Sequence, residues 1–132
     1  MNTSHFNVSY DHEYHIVKVA MNGFLSHEVY KHGWTSVLEL IKHHRPHRIL
    51  VAIEDGKIIS PENQHWLMEH YMPELEKLMH GKQVRQARIV HGDYFNKLSV
   101  SNISNQIKSH HLPLEIKDFE NEKSALEWLI AV

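Results

Sequence analysis

The chain has 132 residues, a hydrophobic fraction of 42% and a formal charge of −2 at pH 7, values typical of one ordinary globular domain. The absence of cysteine excludes disulfides, thiolate catalysis and thiolate-ligated metal centres. The charge gives no electrostatic reason to expect nucleic-acid binding, and no apolar run approaches the ~20 residues of a membrane span. We therefore predict a cytoplasmic, single-domain protein over residues 1–132, with no nucleic-acid partner and no membrane span.

The first half of the chain predicts a strand hairpin, a helix and a buried strand. Apolar and polar residues alternate over 6–10 and 14–21, which is the period of half-buried strands. Ser26 is a candidate N-cap for a helix over 27–43 that Pro46 ends. The apolar positions of this helix recur at three- and four-residue spacing: Tyr30, Trp34, Val37, Leu38 and Ile41. The continuous apolar run over 48–53 predicts a central strand covered on both faces.

The second half predicts three more helices that alternate with two strands. Ser60-Pro61-Glu62 is a strong helix start, and Pro73 should kink or split that helix because proline removes a backbone donor. The later elements are predicted as a strand over 86–91, a helix over 94–107, a strand over 114–119 and a helix over 122–132. The order β-β-α-β-α-β-α-β-α predicts an α/β fold with a mostly parallel five-stranded sheet, an antiparallel N-terminal edge strand and helical cover.

Histidine is the unusual component, with 14 residues spread from His5 to His111. We interpret this abundance as general surface composition; a pH sensor or a metal buffer is the alternative. His43, His44 and His47 lie at a helix end, where protonated histidine would meet the negative end of the helix dipole. No histidine spacing nominates a complete ligand set, so we predict no metal site and no cofactor.

Few motifs for catalysis are present. The sequence has no glycine-rich phosphate loop and no nucleophile elbow. Glu54 and Asp55 form a carboxylate pair directly after a predicted central strand, where α/β proteins often bind ligands, but no nucleophile accompanies them. Ser60 follows at a helix N-terminus, which favours an added phosphate; alternatively, its hydroxyl only caps the helix.

Aromatic residues are numerous on the predicted helices. They are Tyr30, Trp34, Trp66, Tyr71 and Trp128. Aromatic residues at helical spacing usually belong to the core, and the alternative is that they line an apolar pocket between helices and sheet.

The predicted order of elements resembles the SpoIIAA-like fold of STAS domains, and in particular a group of uncharacterised bacterial STAS/Sec14-like proteins. The strand 49–53 followed by Asp55 resembles the STAS central strand that ends in aspartate, and Ser60 falls at the family's phosphorylatable serine. The stretch from Phe119 to Ala125-Leu126-Glu127-Trp128-Leu129 is similar to the C-terminal Phe…Ala-x-x-Trp-Leu signature of that group. STAS regulators carry Asp-Ser-Ser/Thr-Gly at the junction, whereas this chain has Ile59-Ser60-Pro61-Glu62.

The resemblance implies a non-enzymatic binding or regulatory module that acts through a protein partner or a small apolar ligand. We predict its working surface at Asp55, Ser60, His65 and Trp66, with Ser60 as the candidate phosphorylation site and no catalytic residue. The first alternative is phosphoswitch signalling through Ser60. The second is a small hydrolase or lyase that uses Glu54 and Asp55. A homodimer is a further expectation, because an edge hairpin and aromatic helices offer apolar surface.

Overall fold

The computed structural model describes residues 5–22, 25–54, 60–79, 82–90 and 114–131. The strands are β1 (Phe6–Asp11), β2 (Ile16–Asn22), β3 (Arg48–Glu54), β4 (Val84–Val90) and β5 (Leu114–Phe119). The helices are α1 (His27–His44), α2 (Pro61–Trp66), α3 (Met72–Met79) and α4 (Glu122–Ile130), with a π-helical turn at Leu67–Tyr71 that joins α2 to α3. The helix predicted over 94–107 lies outside the described residues.

The strands form one sheet in the order β1-β2-β3-β4-β5. β1 is antiparallel to β2, and every later pair is parallel. This arrangement confirms the predicted α/β fold with an antiparallel N-terminal edge strand. β4 begins two residues earlier than predicted because Val84 already pairs with Leu114 of β5.

The two faces of the sheet carry separate apolar clusters. Side chains alternate between the faces along a strand, so Val51 of β3 faces α1 and the α2–α3 helix, whereas Leu50 faces α4. The first cluster is the larger and contains most of the buried aromatic residues. The prediction that β3 is covered on both faces is confirmed.

α1 begins at the predicted cap and lies close to the edge strand. The Ser26 hydroxyl accepts a hydrogen bond from the Val29 amide at 3.2 Å. Gly33 faces the buried Phe6 ring so closely that a Cβ there would overlap it. α1 ends where Arg45 adopts a left-handed conformation with φ of 51°, directly before Pro46.

The irregularity predicted at Pro73 occurs one turn earlier. The helix continues through Pro73, and the π turn lies at Leu67–Tyr71, where the Met72 amide donates to the Leu67 carbonyl. Proline clashes with the carbonyl four residues before it, which is that of Glu69. The wider π turn offers a physical reason why the helix tolerates Pro73 without ending.

Arginine side chains attach the C-terminal end of α4 to the sheet. Arg48 Nε donates to the Leu129 carbonyl at 2.9 Å. Arg85 Nη1 donates to the Trp128 and Ala131 carbonyls at 3.1 and 2.8 Å. These contacts satisfy carbonyls that a helix end leaves without intrahelical partners, and they place positive charge at the negative end of the dipole.

Candidate functional site

Ser60 is the N-cap of α2, as the sequence predicts. Its hydroxyl accepts a hydrogen bond from the Asn63 amide at 3.1 Å. Asp55 lies among residues 55–59, outside the described residues, and the side chain of Glu54 is not described either. Chemistry at the Glu54–Asp55 pair and phosphorylation of Ser60 therefore remain predictions.

A histidine links the start of α1 to the start of α2. His27 Nδ1 lies 2.7 Å from Asn63 Oδ1, and its Nε2 lies 3.4 Å from Glu62 Oε1. Asn63 is almost completely buried, and its Nδ2 donates to the Leu25 carbonyl at 3.4 Å. That bond directs Oδ1 towards His27, so Nδ1 of His27 carries a proton. Sequence reasoning missed this link, because no local pattern relates residues 36 positions apart.

His65 and Trp66 occupy different environments on α2. His65 is exposed, whereas Trp66 is half-buried and packs edge-on against Tyr30, with ring centroids 6.4 Å apart. The Trp66 ring also lies near the His70 ring, with centroids 6.0 Å apart. The structure thus places Trp66 with the core aromatic residues and leaves His65 at the surface.

A small cavity lies between the sheet and the helices that cover its larger apolar cluster. The space open to the centres of water molecules is about 30 Å³, enough for one or two waters. Its walls come from β2, β3, β4, α1 and the α2–α3 helix: Met21, Tyr30, Trp34, Val51, Ile53, Leu67, Tyr71, Met72, Gln86 and Arg88. Of the aromatic residues considered in the sequence, Tyr30, Trp34 and Tyr71 line this cavity, whereas Trp128 packs on the opposite face of the sheet.

Three residues that line the cavity carry buried polar atoms without hydrogen bonds. In the described part of the chain, three buried side-chain N or O atoms have no hydrogen-bond partner: Trp34 Nε1, Tyr71 Oη and Gln86 Oε1. All three residues line the cavity, and we call these the unpartnered atoms. A buried polar group without a partner costs roughly 1–3 kcal/mol, so three such groups in one small region are costly to the folded protein.

The two tyrosines of the cavity remain protonated. Burial raises the pKa of Tyr71 far above its ordinary value, and the nearby Tyr30 raises it further. Burial likewise raises the pKa of Tyr30, while the Trp34 side chain lowers it. Both tyrosines therefore keep neutral hydroxyl groups at physiological pH.

Arg88 brings a charge to the cavity wall, and Asp118 balances it. Arg88 is 4% exposed; its Nε donates to Asp118 Oδ1 at 2.7 Å and its Nη2 to Oδ2 at 3.2 Å. The parallel register of β4 and β5 sets these residues opposite each other. The planar guanidinium and the carboxylate thus form a bidentate ion pair. The signal in the sequence was Gln86 and Arg88, two polar residues on the same face of β4.

A second group of rings joins the β1–β2 hairpin to the end of α1. Tyr10 stacks on His44 with centroids 3.8 Å apart, and its hydroxyl lies 2.9 Å from His15 Nδ1. Desolvation lowers the pKa of His44, and the neighbouring His43, His12 and His15 lower it further. This shift is opposite to that expected from the helix dipole alone. No group of three or more potential ligands with metal-binding geometry occurs within the described ranges.

The mixed sheet with helices on both faces defines an α/β protein. A family model described as SpoIIAA-like matches residues 16–130, and the chain belongs to the SpoIIAA-like family. This membership suggests a regulatory or binding module, because the fold family is generally non-enzymatic. Among the described helices, none is long and apolar enough to cross a membrane.

A solved structure is also similar to this chain. It is an uncharacterised protein of the DUF3478 family with a SpoIIAA-like fold from Shewanella loihica PV-4, which has 20% sequence identity and a TM-score of 0.48. The similarity covers 98% of each chain. No curated protein matches the sequence.

Proposed function

We propose that the protein is a non-enzymatic binding module that holds a small, mainly apolar ligand in the cavity between the sheet and the α2–α3 helix. The observation that carries this proposal is that all three residues with unpartnered atoms line that cavity. A typical domain is stable by only ~5–15 kcal/mol, so three such groups are a substantial cost. A ligand with complementary polar atoms would offset that cost on binding.

The cavity has to widen before it accepts a molecule larger than water, and its walls favour this. Met21 and Met72 line it, and methionine is flexible enough to repack around different shapes. The π turn supplies Leu67 and Tyr71; such turns occur frequently at functional sites. Movement of the α2–α3 helix away from the sheet would enlarge the space without breaking strand pairing.

The same helix connects the cavity to the surface predicted for a partner. Ser60 and His65 belong to the start of this helix, and Trp66 packs against Tyr30, a residue of the cavity wall. A ligand that displaces the helix would change the surface predicted at Asp55, Ser60, His65 and Trp66. We propose that a protein partner recognises this surface and thereby responds to the ligand.

Thermal unfolding in the presence of small neutral compounds tests the ligand site, with native mass spectrometry as the check on stoichiometry. We expect at least one compound to raise the melting temperature of the wild-type protein and to bind at one molecule per chain. Val51→Ile adds a methyl group to the cavity wall and should reduce that binding. Val37→Ile is the matched control, because Val37 is buried in the same cluster but does not line the cavity.

Two results would overturn the proposal. One is a wild-type protein that no compound of the panel stabilises. The other is binding that Val51→Ile and Val37→Ile reduce equally, because the ligand would then lie elsewhere.

A further inference from the structure

We infer that the ligand is a neutral molecule that carries a hydroxyl or carboxamide group on an apolar body, an inference that rests on the proposed function. The residues that line the cavity carry both an unpartnered donor and an unpartnered acceptor, and the charge of Arg88 among them is balanced by Asp118. These properties restrict the chemistry of the ligand more than the volume of the cavity does.

A ligand that satisfies all three unpartnered atoms needs a group that both accepts and donates hydrogen bonds. Trp34 Nε1 is only a donor, Gln86 Oε1 is only an acceptor, and the Tyr71 hydroxyl can serve as either. A ketone or an ester would satisfy Trp34 and leave Gln86 without a donor. A hydroxyl or a carboxamide satisfies both residues, and Tyr71 adapts to the remaining lone pair or proton.

The charges at the cavity favour a neutral ligand over an anion. Arg88 is the charged residue among the described residues that line the cavity. Its guanidinium already donates two hydrogen bonds to the Asp118 carboxylate. A carboxylate in the cavity would compete with Asp118 for the guanidinium and would face the Gln86 oxygen. Burying a charge without a dedicated partner is far more costly than burying a hydrogen-bonded neutral group.

The rest of the wall is suited to an apolar body. Met21, Val51, Ile53, Leu67 and Met72 contribute the aliphatic surface, and the rings of Trp34 and Tyr71 lie 4.9 Å apart beside it. Because the resting space is about 30 Å³, a short branched or single-ring body fits with the least movement of the walls.

Two pairs of isosteric probes test this inference: isobutyramide with isobutyrate, and benzamide with benzoate. Binding is followed by the fluorescence of Trp34 in a Trp66→Phe/Trp128→Phe background, which leaves the cavity tryptophan as the single indole of the 132-residue chain. Ligand-observed NMR on the wild-type protein provides an independent measurement. We expect each amide to bind at least tenfold more tightly than its carboxylate.

Tyr71→Phe tests the polar contact, with Tyr14→Phe at an exposed tyrosine as the control. We expect Tyr71→Phe to weaken amide binding by roughly three- to tenfold, which is the effect of one hydrogen bond, and Tyr14→Phe to have no effect. The melting temperature of ligand-free Tyr71→Phe should equal or exceed that of the wild type, because the hydroxyl it removes has no partner there.

The outcomes separate failure of the inference from failure of the proposed function. Carboxylates that bind as well as amides, or amide binding unchanged by Tyr71→Phe, would overturn the neutral, hydrogen-bonding ligand and leave the cavity as a binding site. Binding of none of the probes, with a ligand-free Tyr71→Phe protein that melts several degrees lower, would identify a cavity filled by ordered water and would overturn both.

Discussion

The unmodified Ser60 hydroxyl stabilises the start of α2. Because it accepts the Asn63 amide, Ser60→Ala should lower the free energy of unfolding by about 1 kcal/mol. Ser60→Asp should cost less, since aspartate is also a good N-cap. Urea unfolding checks both variants, and Ser26→Ala at the α1 cap is the matched control, with an expected loss of similar size.

Phosphorylation of Ser60 requires a separate measurement. A phosphate there would meet the positive end of the helix dipole but also the Glu62 carboxylate in the first turn. Phosphosite mapping of protein from the native host distinguishes the two interpretations. An unmodified Ser60 under several growth conditions would leave the hydroxyl as a cap alone.

His44 gives a pH dependence whose sign follows from its lowered pKa. The unfolded chain binds this proton more readily than the folded one, so the contribution of His44 to stability is present above the ordinary histidine pKa of ~6.5. It is lost as the pH falls through that value towards the lower folded pKa. His44→Gln should therefore reduce the drop in melting temperature between neutral and mildly acidic pH.

A control for His44 is available on α2. His65 is exposed, and His65→Gln serves as the control for the exchange of histidine for glutamine. An identical pH dependence in wild type and His44→Gln would show that the stacked rings of Tyr10 and His44 do not respond to pH.

At the scale of single elements, the close packing of α1 against β1 depends on Gly33, which has no side chain. Gly33→Ala should raise intrinsic helix propensity by ~1 kcal/mol but force a Cβ into the Phe6 ring. Overpacking of a core typically costs ~1–3 kcal/mol, so we expect net destabilisation in chemical unfolding. Thr35→Ala, at an exposed position of the same helix, should show no such loss. Phe6→Leu combined with Gly33→Ala should recover part of it, and a double variant with purely additive losses would contradict the clash.

The pairing of β4 with β5 includes the contact between Arg88 and Asp118. Asp118→Asn removes the charged partner of a buried guanidinium and should lower the free energy of unfolding by about 1–3 kcal/mol. The loss is moderated because the Asp118 side chain is half exposed. Glu115→Gln, which affects the exposed Arg85–Glu115 contact at 3.9 Å, should change stability by less than ~0.5 kcal/mol. Equal effects of the two variants in urea unfolding would show that burial of Arg88 is unimportant.

At the scale of the whole molecule, features that depend on neighbouring residues in the sequence were predicted, whereas features that depend on the packing of distant elements were not. The caps at Ser26 and Ser60 depend on a few consecutive residues, and the strands depend on alternation within one segment, so both are visible in the sequence. The cavity depends on how β2, β3 and β4 meet α1 and the α2–α3 helix. Gln86 and Arg88 were available as a signal, but the missing partners of Trp34 and Tyr71 become apparent only when the helices are placed against the sheet.

The order of the sheet has a consequence for how the chain is made. Each strand after the first pairs with the strand that precedes it, so every strand emerging from the ribosome finds its neighbour already synthesised. Synthesis from the N-terminus proceeds at ~5–20 residues per second, and domains fold as units during or after it. The β1–β2 hairpin can therefore form before the rest of the sheet, whereas the contacts of α4 with the second apolar face form only after β5 has been made. A chain stalled before α4 would leave Leu50, Ala87 and Ile89 without the packing that Ala125 and Leu129 provide.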